Sequence, residues 1–127
     1  MIKKLFTNDL YIKVSENKFE AKNISTGGVW ESIFPEAPFT TRRLLVGTFS
    51  AAEPALTKLV KSILPSGFIS KRPQVVIHPV SLVEGGLSEV EERIFMELAL
   101  GAGAFKVALH VGPELSDSEA VKLISSA

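Results

Sequence analysis

Residues 88–113, SEVEERIFMELALGAGAFKVALHVGP, place a helix and a strand in immediate succession. Ser88 and Glu91 have the spacing of a capping box, which predicts the start of a helix. The apolar side chains that follow at helical spacing predict its buried side: Val90, Ile94, Phe95 and Leu98. The run 106–111 is typical of a strand covered on both faces. A helix followed directly by a buried strand indicates an α/β fold.

Two glycines in this stretch raise the question of a phosphate loop. Such a loop follows a strand and opens a helix, because the free amides of the helix N-terminus bind the phosphate. Here Gly101 and Gly103 follow a helix and precede a strand. We therefore predict that Gly101 closes the helix in the left-handed conformation and that Gly103 turns the chain into the strand. Phosphate binding is the less favoured alternative.

Toward the N-terminus the same alternation of strand and helix continues. Segment 74–80, QVVIHPV, is an almost continuous apolar run, as expected of a strand buried on both faces. Before it, Ser50 and Glu53 fit a capping box, and residues 65–67 carry the proline and glycine that stop a helix. Between these signals one apolar stripe has helical spacing: Leu56, Leu59, Val60, Ile63 and Leu64.

The first third of the chain predicts a β-meander. Segments 9–14, 18–24 and 29–34 have the features of strands and are joined by short stretches rich in turn-forming residues. On the first segment Tyr11 and Lys13 lie on one face, and the opposite face is apolar: Leu10, Ile12 and Val14. We therefore expect this strand to be covered on one face.

The complete order of elements predicts the topology of the sheet. Ser116 and Glu119 repeat the capping-box spacing and predict a third helix that runs to the C-terminus. A small extra strand is predicted at 44–46, after the proline-bearing loop 34–41. Alternating strands and helices in the second half require parallel strands, so the sheet is mixed. We predict one domain, residues 1–127, with a mixed five-stranded sheet and about three helices.

Composition narrows the classes of function. The 127 residues include 14 basic and 14 acidic side chains and no cysteine. With a net charge of zero, the sequence does not have the basic character of nucleic-acid binding proteins, and we expect no nucleic-acid partner. Without cysteine the chain forms no disulfide and no thiolate metal site. Asn8 and Asp9 interrupt any signal-peptide core, so we expect a cytoplasmic protein. We do not expect membrane contact. The one place where the sequence would allow it is the N-terminal tip, where two lysines have apolar neighbours: Met1, Ile2, Leu5 and Phe6.

Three segments carry a resemblance to a known family. They are FTNDLYIKV (6–14), RPQVVIHPV (72–80) and VEERIFMELALGAGAFKVALHVGP (90–113). In order and spacing they resemble the first subdomain of the bacterial actin-like rod shape-determining proteins, the MreB family. The resemblance is clearest over 72–113, where the helix-GAGA-strand passage is its distinctive element. It implies an actin-like, ribonuclease H-like fold and a connection with cell shape.

The family's nucleotide-binding positions differ in this sequence. Its first strand ends in an Asp-x-Gly phosphate loop, and the corresponding residues here are Lys13, Val14 and Ser15. A pair of glutamates in the family, one implicated in orienting the attacking water, corresponds to Val111 and Gly112. Valine and glycine provide no general base. The resemblance therefore implies a chain without ATPase residues, in which the positions 13–15 form a degenerate phosphate loop.

The resemblance also covers only part of the family's architecture. The family's second phosphate loop, its adenine pocket and its second domain would lie beyond residue 127. The loop 34–43 is too short for the accessory subdomain that the family inserts there. Because that subdomain and the second domain make the contacts of the family's filaments, we do not expect this chain alone to form them.

The remaining candidates are side chains without a motif. His78 and His110 are predicted at neighbouring strand ends, where a metal or acid-base pair would need a third ligand that neither strand supplies. Structural histidines are the favoured interpretation, and the glutamates of 89–97 are interpreted as a solvated helix face. Trp30, Phe34 and Phe39 form either an exposed partner surface or the cover of the core at a sheet edge.

Two functional hypotheses follow. The first is a non-catalytic binding or scaffold module, related to the cell-shape machinery, that docks to a protein partner or to a second copy of itself. It needs neither cofactor nor metal. The second is half of a nucleotide-binding actin-like ATPase, completed by a second chain, in which Lys13, Ser15 and the turn up to Lys18 hold the phosphate. Stabilisation by ATP distinguishes the two.

Overall fold

The computed structural model describes residues 8–65 and 73–127. In chain order its elements are β1 (Asp9–Ser15), β2 (Lys18–Asn23), β3 (Glu31–Ile33), α1 (Phe49–Ile63), β4 (Gln74–Pro79), α2 (Glu89–Gly101), β5 (Lys106–Leu109) and α3 (Asp117–Ser126). The five strands form one sheet in the order β3-β2-β1-β4-β5. The predicted α/β class, the mixed five-stranded sheet and the three helices are confirmed.

The sheet combines a hairpin meander with parallel crossovers. β1 pairs antiparallel with β2 and β2 with β3, whereas β1, β4 and β5 run parallel. In the register Ile12 lies between Ala21 on β2 and Ile77 on β4. Because parallel strands end at the same edge, the C-terminal ends of β1, β4 and β5 lie side by side.

Helices cover both faces of the sheet. α1 and α2 pack on the face that carries Leu10, Ile12 and Val14, and this layer holds most of the buried apolar side chains. α3 packs on the opposite face, where Ala120 and Ile124 form a second cluster of buried side chains with Tyr11, Val76 and Ala108. The expectation of one covered face for β1 was wrong, because α3 buries Tyr11 completely.

Two of the three predicted helix starts are confirmed in detail. The hydroxyls of Ser88 and Ser116 each accept a hydrogen bond from the backbone amide three residues on, at 3.2 Å. In both cases the glutamate at that position accepts a hydrogen bond from the backbone amide of the serine. The predicted start of α1 was wrong: Thr48 is its N-cap, with no capping side chain. The predicted stop of α1 at 65–67 falls mostly outside the described residues. The N-terminal tip, residues 1–6, lies outside them entirely.

Three local predictions are corrected. Residues 44–46 form no strand: Leu45 and Val46 lie in a turn, where burial alone accounts for their apolar character. Val90 is 67% exposed and does not belong to the buried side of α2. Gly101 is the last residue of α2, and the positive φ, +116°, belongs to Gly103, which turns the chain into β5.

Candidate functional site at the ends of the parallel strands

The C-terminal edge of the parallel strands is where open α/β sheets bind their ligands. Lys13 and His78 face each other in the register of β1 and β4, and His110 follows directly after β5. The imidazole rings of His78 and His110 meet edge to face, with centroids 4.6 Å apart. The predicted meeting of the two histidines at neighbouring strand ends is therefore confirmed. The loop 110–116 passes over this edge on its way to α3.

A chain of hydrogen bonds ties this loop to the sheet. The hydroxyl of Tyr11 lies 2.8 Å from Nδ1 of His78 and accepts a 3.0 Å hydrogen bond from the amide of Leu115. Nε2 of His78 lies 2.8 Å from the carbonyl oxygen of Gly112. A carbonyl only accepts, so Nε2 carries the proton and Nδ1 accepts from the tyrosine. Gly112 adopts a φ of +135°, which favours glycine.

Burial favours the neutral forms of Tyr11 and His78 in this chain of hydrogen bonds. Tyr11 and His78 are both almost inaccessible to solvent. Burial lowers the pKa of His78 below 6.5, and the charges of His110 and Lys13 act in the same direction, whereas the Gly112 carbonyl and Glu114 oppose it. Burial also raises the pKa of Tyr11 above 10.0. A neutral imidazole between a tyrosine and a carbonyl is a satisfied structural group, as the sequence predicted for a histidine in this strand.

Lys13 was predicted at the degenerate phosphate-loop position, and in the structure its charge is engaged within the chain. Its ammonium donates a 2.8 Å hydrogen bond to Glu114 and lies 4.2 Å from the ring centroid of Trp30. The hydrogen bond and the charge of Lys13 lower the pKa of Glu114. Lys22 contacts the same indole at 4.8 Å and forms an ion pair with Asp117. Both lysines thus anchor the segment that leads into α3.

The polar groups of the turn after β1 also form hydrogen bonds within the protein. Asn17, at a φ of +50°, donates its amide to the hydroxyl of Thr40 at 2.9 Å. Its side-chain oxygen accepts the amides of Phe39 and Thr40, both at 2.8 Å. The carbonyl of Val14 accepts the amide of Val80. The backbone here is held against the proline-bearing loop.

No histidine or carboxylate cluster of metal-binding size occurs in residues 8–65 and 73–127. His110 directs Nε2 to the carbonyl of Pro113, at 2.7 Å, and so both histidines bind to the backbone of the same loop. Glu119 is held by the amide and hydroxyl of Ser116, which lower the pKa of its carboxyl, with a smaller contribution from His110. The residues that meet at this edge therefore stabilise one another.

The three aromatic residues predicted as a partner surface separate in the structure. Phe34 is 69% exposed, after the end of β3. Trp30 is half-buried and packs edge to face on Tyr11, with centroids 5.1 Å apart. Phe39 is fully buried and stacks on Phe19 at 4.7 Å. Phe39 therefore belongs to the core and not to the predicted surface, because the turn around Asn17 draws its backbone inward.

Several residues of this edge were not singled out from the sequence. Tyr11, Glu114 and Asn17 hold it together, and none stands in a motif. The bonds of Tyr11 and Lys13 to the loop join residues 104 and 101 positions apart, which no local pattern indicates. Asn17 carried a local signal, since asparagine favours turns and tolerates a positive φ.

The structure defines an α/β protein whose mixed sheet is closed at its parallel strand ends by a loop of its own. The chain is 32% identical over 124 residues to the uncharacterized protein YjaA of Escherichia coli (strain K12), over 91% of this chain and 95% of that protein. The chain therefore belongs to the same family as YjaA. No protein-family profile matches the sequence. Among the described helices, none has the length and apolar character to cross a membrane.

Proposed function

We propose that this chain is a non-catalytic binding or scaffold module with an actin-like, ribonuclease H-like fold, which acts through protein–protein contacts in the cytoplasm. The proposal rests on one observation: the polar side chains at the C-terminal ends of the parallel strands are bound to other groups of the same chain. The ammonium of Lys13 binds Glu114, the amide of Asn17 binds Thr40, and His78 binds Tyr11 and Gly112. The groups that would otherwise contact a nucleotide stabilise the chain itself.

The actin-like part of the proposal rests on topology and on the resemblance together. The order β3-β2-β1-β4-β5, with helices on both faces, agrees with the core that the resemblance implies. The link to cell shape rests on the resemblance to the MreB family alone. Since one fold carries many activities, the proposal of a binding role is argued from the surface and the closed strand ends.

The surface offers apolar side chains for protein contacts. Phe34 borders a groove of about 380 Å³ between the end of β3 and α1, together with Ile33, Pro54 and the stem of Lys58. Val29, before β3, is 72% exposed. Exposed apolar side chains beside a sheet edge are typical of protein-binding surfaces.

Thermal unfolding with and without ATP and magnesium tests the proposal. A ligand that binds the folded state at 100 times its dissociation constant stabilises by about 2.7 kcal/mol, and so a nucleotide site would be visible at millimolar ATP. We expect no shift in the unfolding temperature. A saturable shift that Lys13→Ala abolishes would instead support the second hypothesis, the nucleotide-binding half.

A further inference from the structure

The outer edge of β5 lies open between two helices. β5 pairs only with β4, and no other described segment bonds to its outer side. The groove along this edge has a volume of about 550 Å³. Its walls come from α2 (Glu92, Met96), from β5 itself, and from α3 (Leu123, Ser126), and most of the lining is apolar.

The backbone of β5 has a defined outward side. The amide of Phe105 donates to Pro73, which precedes β4. At the other end of β5, the amide of His110 donates to the carbonyl of Ile77 on β4. Alternate residues of a strand direct their backbone groups to opposite sides, so Lys106 and Ala108 also bond toward β4, and Val107 and Leu109 present their amides and carbonyls outward. An outward residue at the centre of an edge strand can exchange both of its backbone hydrogen bonds with the same residue of a second copy.

We propose that this edge is the interface of a homodimer in which two β5 strands pair antiparallel about a two-fold axis at Val107. The proposal rests on the proposed binding function and names its partner as a second copy of this chain. Val107 of each copy exchanges two main-chain hydrogen bonds with its symmetry mate, and Lys106 lies opposite Ala108 of the other copy in a non-hydrogen-bonded pair. The two sheets then become one continuous sheet.

Side chains favour this register. Phe105 is 46% exposed and is brought opposite the half-buried Leu109 of the second copy, on the face that carries α2. Val107 meets its own symmetry mate between these two apolar pairs. Aromatic–aliphatic pairs directly opposite each other stabilise a sheet. The pairing therefore covers a large exposed ring in each copy.

Charges are complementary in the same arrangement. Neither Lys106 nor Glu119 forms an ion pair in the described residues. Within one copy Glu119 lies near His110. His110 is four residues beyond Lys106, so Lys106 and Glu119 are separated by about 13 Å along the strand. The two-fold axis brings Lys106 of one copy to the end of β5 in the other, on the face of the sheet where α3 carries Glu119. Each unpaired charge thus gains a partner.

The opposite edge of the sheet is less suited to such pairing. β3 has three residues, and its first two, Glu31 and Ser32, are exposed. A short edge strand with a charged side chain discourages pairing with another chain. β5 also carries a lysine, Lys106, but its neighbours along the strand are apolar, the exposed Phe105 and the buried Val107.

A single cysteine tests the geometry, because the chain has none of its own. In the proposed register Val107 faces its symmetry mate in a hydrogen-bonded pair with Cα atoms about 5.5 Å apart, within reach of a disulfide. We expect Val107→Cys to form a disulfide-linked dimer under mild oxidation. Ala108→Cys, on the other face and opposite Lys106, and Phe34→Cys, near β3, are the matched controls and should remain unlinked.

Sedimentation equilibrium of the full chain supplies the second measurement. We expect a dimer, and a dissociation constant raised about tenfold or more by Phe105→Asp and by Lys106→Glu. Lys106 is half-buried and forms no ion pair within the described residues, so its substitution leaves the monomer folded. Phe34→Asp should leave the dimer unchanged.

The outcomes separate this inference from the proposed function. A monomeric wild-type chain, or cross-linking through Phe34→Cys in place of Val107→Cys, would overturn the β5 interface and leave the binding function standing. Saturable ATP binding would contradict the proposed function whatever the oligomeric state.

Discussion

Replacing Tyr11 with phenylalanine removes one hydroxyl from the closed edge of the sheet and keeps the ring in place. Two groups lose their partner: Nδ1 of His78, at 2.8 Å, and the amide of Leu115, at 3.0 Å. A buried polar group without a hydrogen bond costs about 1–3 kcal/mol. His78 is 2% exposed, so water does not replace the tyrosine there, whereas Leu115 is half-exposed and its amide is more easily hydrated.

The expected loss is therefore about 2–4 kcal/mol of the free energy of unfolding, a large part of the roughly 5–15 kcal/mol of a typical domain. Urea unfolding followed by the fluorescence of Trp30, the single tryptophan, measures it. With a slope of about 2 kcal/mol per molar urea, the midpoint should fall by about 1–2 M.

Ser125→Ala is the matched control, because it also deletes a hydroxyl that makes one hydrogen bond, to the carbonyl of Val121, on an exposed turn of α3. Its effect should stay within about 0.5 kcal/mol. If Tyr11→Phe unfolds at the same urea concentration as this control, the hydrogen-bond chain does not hold the loop, and the account of the closed edge is wrong.

Three further predictions concern the same region. Phe39→Ala should lower the free energy of unfolding by about 3–5 kcal/mol, because Phe39 is fully buried on Phe19, whereas Phe34→Ala should be nearly neutral; urea unfolding of both variants compares them. Asn17→Ala leaves two backbone amides without their acceptor and should cost about 2 kcal/mol by the same assay. The lowered pKa of His78 means that the unfolded chain takes up a proton more readily, so stability should fall as pH decreases through 6.5, and His78→Gln should flatten this dependence in thermal scans; an unchanged slope would contradict the assignment.

Local signals predicted much of the fold. The capping boxes at Ser88 and Ser116 depend on residues three positions apart, and both were predicted correctly. The continuous apolar run of β4 correctly indicated a strand buried on both faces, since every residue after Gln74 is buried. The prediction of a strand at 44–46 was wrong, because a buried turn requires the same apolar side chains as a short strand. The capping box predicted from Ser50 and Glu53 was also wrong, because the helix begins earlier, after Thr48.

The candidate site was less accessible to sequence reasoning. The positions of Lys13, His78 and His110 were predicted at the strand ends, since parallel strands end at one edge. Their partners were not predicted, because Glu114 and the loop carbonyls reach them only through the crossover of the whole chain. The alternation of β1 suggested an open face for Tyr11, and the helix that covers it is encoded more than a hundred residues away.

A titration of isotopically labelled protein with magnesium and ATP, followed through the amide resonances of Val14 to Lys18, tests the central claim most directly. Because the amide of Asn17 and the ammonium of Lys13 are bound within the chain, we expect these resonances to remain in place at millimolar nucleotide. Saturable shifts confined to this turn would show that it opens to hold phosphate, and would contradict the account.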